Sequence, residues 1–129
     1  MTLVDTSLWV AVFRRRSPLP IESIVDFDDI ATCLPVVQEV LQGFRDEAAY
    51  RTAHDALLAL PMVEAPMETS LFVEASNLYR AARRRGLTVR SSVDCLIAAC
   101  ALRHDMTLLH RDRDYEMIAA VAPLRVRGV

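Results

Sequence analysis

Lysine is absent: all fifteen basic residues of the chain are arginine. A P-loop needs a lysine on the phosphates, and Schiff-base catalysis needs its amine. Receiver domains and haloacid-dehalogenase-type phosphatases, also small α/β folds with acidic sites, normally carry a lysine beside their aspartates. Glycine is scarce at three residues, which argues against a Gly-rich all-β protein. The three cysteines, Cys33, Cys95 and Cys100, form no Cys-x-x-Cys pair and have no histidine at zinc-like spacing, so they read as buried free thiols. No apolar run approaches the roughly 18 residues of a membrane span. The N-terminus has no basic segment leading into a long apolar stretch, so no secretory signal is expected. One cytoplasmic domain over residues 1–129 is the expectation.

What is present is globular: 53% hydrophobic and 25% charged residues can build a real core. The net charge of −2 does not announce a nucleic-acid binder, but the arginines are grouped. They gather at Arg14–Arg16, at Arg80 and Arg83–Arg85, at Arg90, and at Arg111 and Arg113. The planar guanidinium fork suits phosphate. Arginine at a helix end also complements the helix dipole, so both readings stand for these groups.

Short apolar runs alternate with helical periodicity. Strands are expected at Thr2–Val4, Asp29–Leu34, Met62–Ala65, Thr107–His110 and Leu124–Val126. The first helix would be capped by Thr6 or Ser7 and carry Leu8, Trp9, Val12 and Phe13 on one face, with a short helix over Ile21–Phe27. Pro35 opens a helix bearing Glu39. Another helix runs from Asp46 to Leu60. A strong amphipathic one, capped by Thr69 or Ser70, reaches Arg85 before Gly86 stops it. Ser91 or Ser92 caps the next, with Val93, Leu96, Ile97, Cys100 and Ala101 toward the core, and Tyr115–Val121 forms the last. This alternation predicts an α/β fold with three layers: a mainly parallel central sheet of about five short strands, with helices on both faces. Such sheets place ligands beyond the carboxyl ends of their strands.

Asp5 and Asp112 fall at those ends, and Glu39 and Asp94 near helix starts. Clustered carboxylates repel one another, so a cation is expected among them, and phosphate chemistry with it. Each residue also has a plainer role. Asp5 could cap a helix, Asp94 could complement a helix dipole, and Asp112 and Asp114 could pair with Arg111 and Arg113. Asp112 lies nearer the strand end and ranks above Asp114. His104 and His110 lack partners at any recognisable spacing and read as structural.

Leu3-Val4-Asp5-Thr6-Ser7-Leu8-Trp9 resembles the opening motif of PIN-domain ribonucleases. Pro35–Gly43 around Glu39, Val89–Ala99 around Asp94 and Leu108–Tyr115 around Asp112 resemble that family's other acidic motifs, in order and spacing. Size and wording are closest to the VapC-type toxins of bacterial toxin–antitoxin pairs, and Arg80–Gly86 through Asp94 resembles the branch acting on transfer RNA. The resemblance implies a PIN-like fold and a Mg²⁺ site, with Mn²⁺ as substitute. Asp5, Glu39, Asp94 and Asp112 would be its catalytic ligands, Asp114 would lie close by, and Ser7 would orient a carboxylate. It implies hydrolysis of RNA to 5′-phosphate and 3′-hydroxyl ends, with Arg83, Arg84, Arg85, Arg90, Arg111 and Arg113 as RNA contacts. It implies a homodimer, and a VapB-type antitoxin assembling with it into a heterotetramer or larger. The antitoxin's seat would use Leu8, Trp9, Val12, Phe13 and residues 21–27, although core packing is the simpler account of that stripe. A PIN-like scaffold that binds RNA or protein without cutting would be signalled by a missing acidic position, and none is missing.

Overall fold

The computed structural model describes all 129 residues. Five parallel strands, β1 (Thr2–Val4), β2 (Ile30–Cys33), β3 (Met62–Val63), β4 (Thr107–His110) and β5 (Val126–Gly128), form one sheet in the order β3-β2-β1-β4-β5. Leu3 and Val4 are both fully buried. Successive strand residues point to opposite faces, so helices cover β1 on both sides. These helices are α1 (Thr6–Phe13), α2 (Leu34–Leu41), α3 (Glu47–Leu58), α4 (Thr69–Arg84), α5 (Ser92–Arg103) and α6 (Asp114–Ala119).

The chain leaves β1 toward β2 on one side and returns to β4 on the other. The gap between β1 and β4 is therefore the topological switch point, where the flanking connections diverge and leave a crevice above the carboxyl ends. Thr2, Leu3 and Val4 pair with Thr107, Leu108 and Leu109, and the Asp5 N–H extends the ladder to the Leu109 carbonyl at 2.9 Å. Asp5 and the segment after His110 are thus delivered to the same edge.

Several local expectations are corrected. Asp5, not Thr6 or Ser7, caps α1, accepting the Ser7 N–H at 3.0 Å. Glu68 holds the cap position of α4 without a side-chain bond, so neither Thr69 nor Ser70 caps it. Two single 3₁₀ turns, Ile21–Ser23 and Phe27–Asp29, replace the helix expected over 21–27. The last strand is Val126–Gly128 rather than Leu124–Val126, because Leu124 turns into the core ahead of it. Helix α5 buries Asp94, Cys95, Ile97, Ala98, Ala99, Cys100 and Ala101, whereas Val93 and Leu96 are only half-buried. Small residues let it be enclosed nearly all round, which a one-stripe reading misses. Leu8 and Trp9 are buried core residues, which removes them from any docking face. All three cysteines are free and buried, as expected.

Candidate metal centre

Helix α5 points its first turn at the β4 edge and brings Asp94 with it. The turn after β4 brings Asp112, and α6 opens on Asp114. One carboxylate oxygen from each of these three residues lies within 4.8 Å of the other two. Asp94 and Asp114 are buried, and Asp112 is about 30% exposed. Asp94 Oδ2 and Asp114 Oδ1 are buried oxygens that receive no hydrogen bond from the rest of the protein, and only a proton on one of the two carboxyls would join them. Two such orphaned anionic atoms at one spot are costly unless a cation or a proton serves them.

The protonation pattern reports that cost. Burial, followed by a hydrogen bond with Asp114 and the charges of Asp5, Asp112 and Asp114, pushes the Asp94 carboxyl up to about 8. Burial works against Asp114 too, but the Arg90 and Ser91 amides, the Asp94 hydrogen bond and the Arg90 guanidinium outweigh it and lower its pKa. Both amides donate to Asp114 Oδ2 at 3.0 Å. The charged form is thus favoured at Asp114 and disfavoured at its neighbour Asp94.

Asp5 stands just behind this group. Its Oδ2 accepts from Ser7, and its Oδ1 accepts the Tyr115 hydroxyl at 2.5 Å. The same hydroxyl lies 3.2 Å from Asp94 Oδ1, so Tyr115, fully buried, ties the two carboxylates together. Burial and the Asp5 charge raise its own pKa well above the ordinary tyrosine value. Tyr115 carried no role in the sequence beyond ending the Leu108–Tyr115 motif, since its partners are distant in the chain. Removing that hydroxyl in Tyr115→Phe is expected to cost about 1–2 kcal/mol and loosen Asp5 relative to Asp94. Thermal melting, together with cation affinity, checks it.

Ser7 does more than cap. Its hydroxyl donates to Asp5 Oδ2 and accepts the Arg111 N–H at 3.1 Å, joining the ends of β1 and β4. Supports of this kind typically cost 10–100-fold in metal affinity or activity when removed. Ser7→Ala should lose cation affinity in that range, and Ser7→Thr should restore most of it, as read by calorimetric titration. Glu39 is half-buried and accepts from Thr6 Oγ1 at 2.8 Å. It stands on the Asp5 side and outside the tight trio. His110 Nδ1 accepts the Asp112 N–H at 3.1 Å, and its Nε2 lies 3.2 Å from Glu116 Oε1. His110 therefore shapes the Asp112 turn. His104 lies away from the trio and faces Glu64 at 3.0 Å.

The arginines divide sharply. Arg90 stands over the acidic group, with Nη2 3.6 Å from Asp112 and Nε 3.6 Å from Asp114. Arg85 and Arg111 are committed to the main-chain carbonyls of Ala120 and Val129. Arg83 lies over the Tyr79 ring, 5.6 Å from its centroid. Arg84 and Arg113 are exposed.

An all-oxygen donor set of hard carboxylates suits Mg²⁺ or Mn²⁺ rather than a thiolate-seeking metal. The two orphaned oxygens give such a cation something to satisfy, so the residues present fit it.

Residues 2–121 match the family described as PIN domain. The chain is 38% identical over 130 residues to VapC ribonuclease Mb1587 of Mycobacterium bovis, covering 97% of this chain and 96% of that protein. Ribonuclease VapC17 of Mycobacterium tuberculosis is 35% identical over 123 residues, covering 94% of this chain and 89% of that one. Among solved structures, VapBC2 from Rickettsia felis bound to a promoter DNA fragment superposes with a TM-score of 0.75 at 16% identity, over 99% of this chain and 98% of that one. VapBC-5 from Mycobacterium tuberculosis gives a TM-score of 0.73 at 19% identity, over 99% and 98%. These structural likenesses bear on the fold: the same parallel sheet wrapped by helices.

Proposed function

This chain belongs to the PIN-domain family, in its VapC branch, and from that premise we propose that it is a metal-dependent endoribonuclease toxin. Its substrate would be structured RNA, transfer RNA at a single-stranded loop, so that cutting stops translation. A VapB-type antitoxin would neutralise it, and the toxin would act as a homodimer. The observation that carries the reading is the trio Asp94, Asp112 and Asp114, with two unsatisfied buried oxygens, at the switch point of the sheet. The ribonuclease names of the relatives support the activity, and the paired toxin–antitoxin names of the structural neighbours support the partner.

Asp94, Asp112 and Asp114 would hold Mg²⁺, with Mn²⁺ as substitute, and Asp5 and Glu39 would border the site. Bound there, the cation supplies a water of lowered pKa and offsets charge on the phosphoryl oxygens, which is what phosphodiester hydrolysis requires. The protein's own residues do the rest. Tyr115 and Ser7 fix the Asp5 carboxylate from two sides. The amides of Arg90 and Ser91 keep Asp114 ionised. The Asp94 carboxyl is pushed up to about 8, so it would have to lose its proton to hold a cation. Attack on phosphorus by a cation-activated water would leave products with 5′-phosphate and 3′-hydroxyl ends.

The test uses antitoxin-free protein, total bacterial RNA and sequencing of the new ends. Discrete cuts in transfer-RNA loops with 5′-phosphate ends are expected. Ends bearing 2′,3′-cyclic phosphate would contradict the mechanism, and cuts confined to other RNAs would remove the transfer-RNA assignment.

A further inference from the structure

Beside the acidic trio lies a cavity of about 360 Å³ lined by Gly86, Leu87, Thr88, Arg90, Arg113 and Met117. Arg90 belongs to both places. Its main chain is pinned, since its N–H donates to Asp114 Oδ2 at 3.0 Å. Its guanidinium is not: the side chain is 68% exposed, and its two carboxylate contacts, at 3.6 Å, are longer than hydrogen bonds. It is a loosely held counter-ion on a fixed stem. Arg113, exposed and lining the same cavity, makes no ion pair and no side-chain hydrogen bond. Gly86 has φ +73°, a left-handed turn that leaves this wall without a side chain, and nothing lies within 4 Å of where a Cβ would stand. Leu87 and Met117 are half-buried and give the cavity its apolar surface.

We infer that this cavity is the subsite for one unpaired nucleotide flanking the cleaved bond, and the inference rests on the ribonuclease reading above. Arg90 and Arg113 take the nucleotide's phosphate, for which two forked guanidinium groups are suited. The base lies on Leu87 and Met117, as extruded bases lie against apolar side chains. In the free protein Arg90 neutralises Asp112 and Asp114. When a divalent cation assumes that task, the guanidinium turns outward to the phosphate. This exchange separates Arg90 from Arg85 and Arg111, whose guanidinium groups are already spent on main-chain carbonyls.

Two readouts test it together. The first is anisotropy of a short, phosphorothioate-linked single-stranded RNA that the protein cannot cut, titrated across salt in Mg²⁺. Arg90→Gln and Arg113→Gln should each weaken binding about 5–10-fold and flatten the salt slope by about one. Met117→Ala should weaken binding with an unchanged slope. Arg51→Gln, an exposed residue of α3, should change it less than about twofold. The second is Mn²⁺ titration without RNA. Arg90→Gln should bind the ion about threefold or more tightly, because a competing cation has gone, and Arg113→Gln should match the wild type. Opposite signs at Arg90 are the signature. Weakening of both ligands would make Arg90 a structural bridge and overturn the exchange. Equal weakening by Arg51→Gln would reduce the subsite to diffuse charge and overturn it. Wild-type protein that cleaves RNA while Arg90→Gln, Arg113→Gln and Met117→Ala bind the probe normally would sink the subsite and leave the nuclease standing. Wild-type protein that cleaves nothing in any metal would sink the nuclease reading itself.

Discussion

Asp94→Asn is expected to abolish RNA cleavage, by at least about 10²–10³-fold, and at the same time to raise the melting temperature of the cation-free protein at pH 8. The two effects have one origin. Asp94 is buried among Asp5, Asp112 and Asp114, and its carboxyl is pushed from an ordinary 3.8 up to about 8. A pKa raised by folding means that the stability tied to this group is complete below about pH 4 and is lost as pH rises through about 8. Asparagine never ionises, so the variant escapes this loss. A gain on the order of 1–3 kcal/mol at pH 8 corresponds to roughly 3–10 °C for a domain of this size. Scanning calorimetry in EDTA between pH 5 and 8.5 measures it. The wild type should lose stability across that range more steeply than the variant, and excess Mg²⁺ should stabilise the wild type alone, by about 2.7 kcal/mol at a hundredfold excess over Kd. A variant that melts lower than the wild type at pH 8 would mean that Asp94 is held by favourable contacts rather than against its neighbours.

Asp114→Asn should move stability the other way. Its Oδ2 accepts the Arg90 and Ser91 amides at 3.0 Å, and its Oδ1 faces the Arg90 guanidinium at 3.6 Å. Despite burial, its pKa is lowered. A lowered pKa contributes stability that is present above the ordinary carboxylate range and is lost as pH falls through the folded value. The amide loses that contribution at neutral pH, about 1–3 kcal/mol, and cleavage falls as well because the start of α5 is no longer held against α6. Asp112→Asn, at a partly exposed position that accepts the Asp114 N–H at 3.0 Å, should reduce cation affinity with a smaller change in melting. Two aspartates separated by one residue thus differ in what they hold up. If Asp112→Asn proved the more destabilising of the two, the burial order would be a poor guide to their roles.

The sheet was legible because β1, β2 and β4 are short, continuous apolar runs bounded by turn residues, as fully buried strands must be. The carboxylates were legible because each adjoins the end of such a run or the start of a periodic one. What sequence could not supply was long-range pairing. Asp5, Thr6 and Ser7 are all plausible caps, and only the closeness of β4 makes Ser7 serve Arg111 while Asp5 caps. Tyr115 becomes a clasp only when α6 folds under Asp5 and Asp94. Six arginines looked equivalent in the chain, yet the carbonyls of Ala120 and Val129 engage two of them, and the acidic trio holds a third. Residues 21–27 misled because Pro20 and scattered apolar positions suit single 3₁₀ turns as well as one helix.

The most direct test of the account is a single-turnover cleavage assay on a transfer-RNA pool with wild type and Asp94→Asn, in Mg²⁺, in Mn²⁺ and in EDTA, with both proteins first shown by melting to be folded. The account predicts discrete cleavage by the wild type in either metal, none in EDTA, and none by the variant in any condition. Cleavage that survives EDTA, or that the folded variant performs at the wild-type rate, would contradict it.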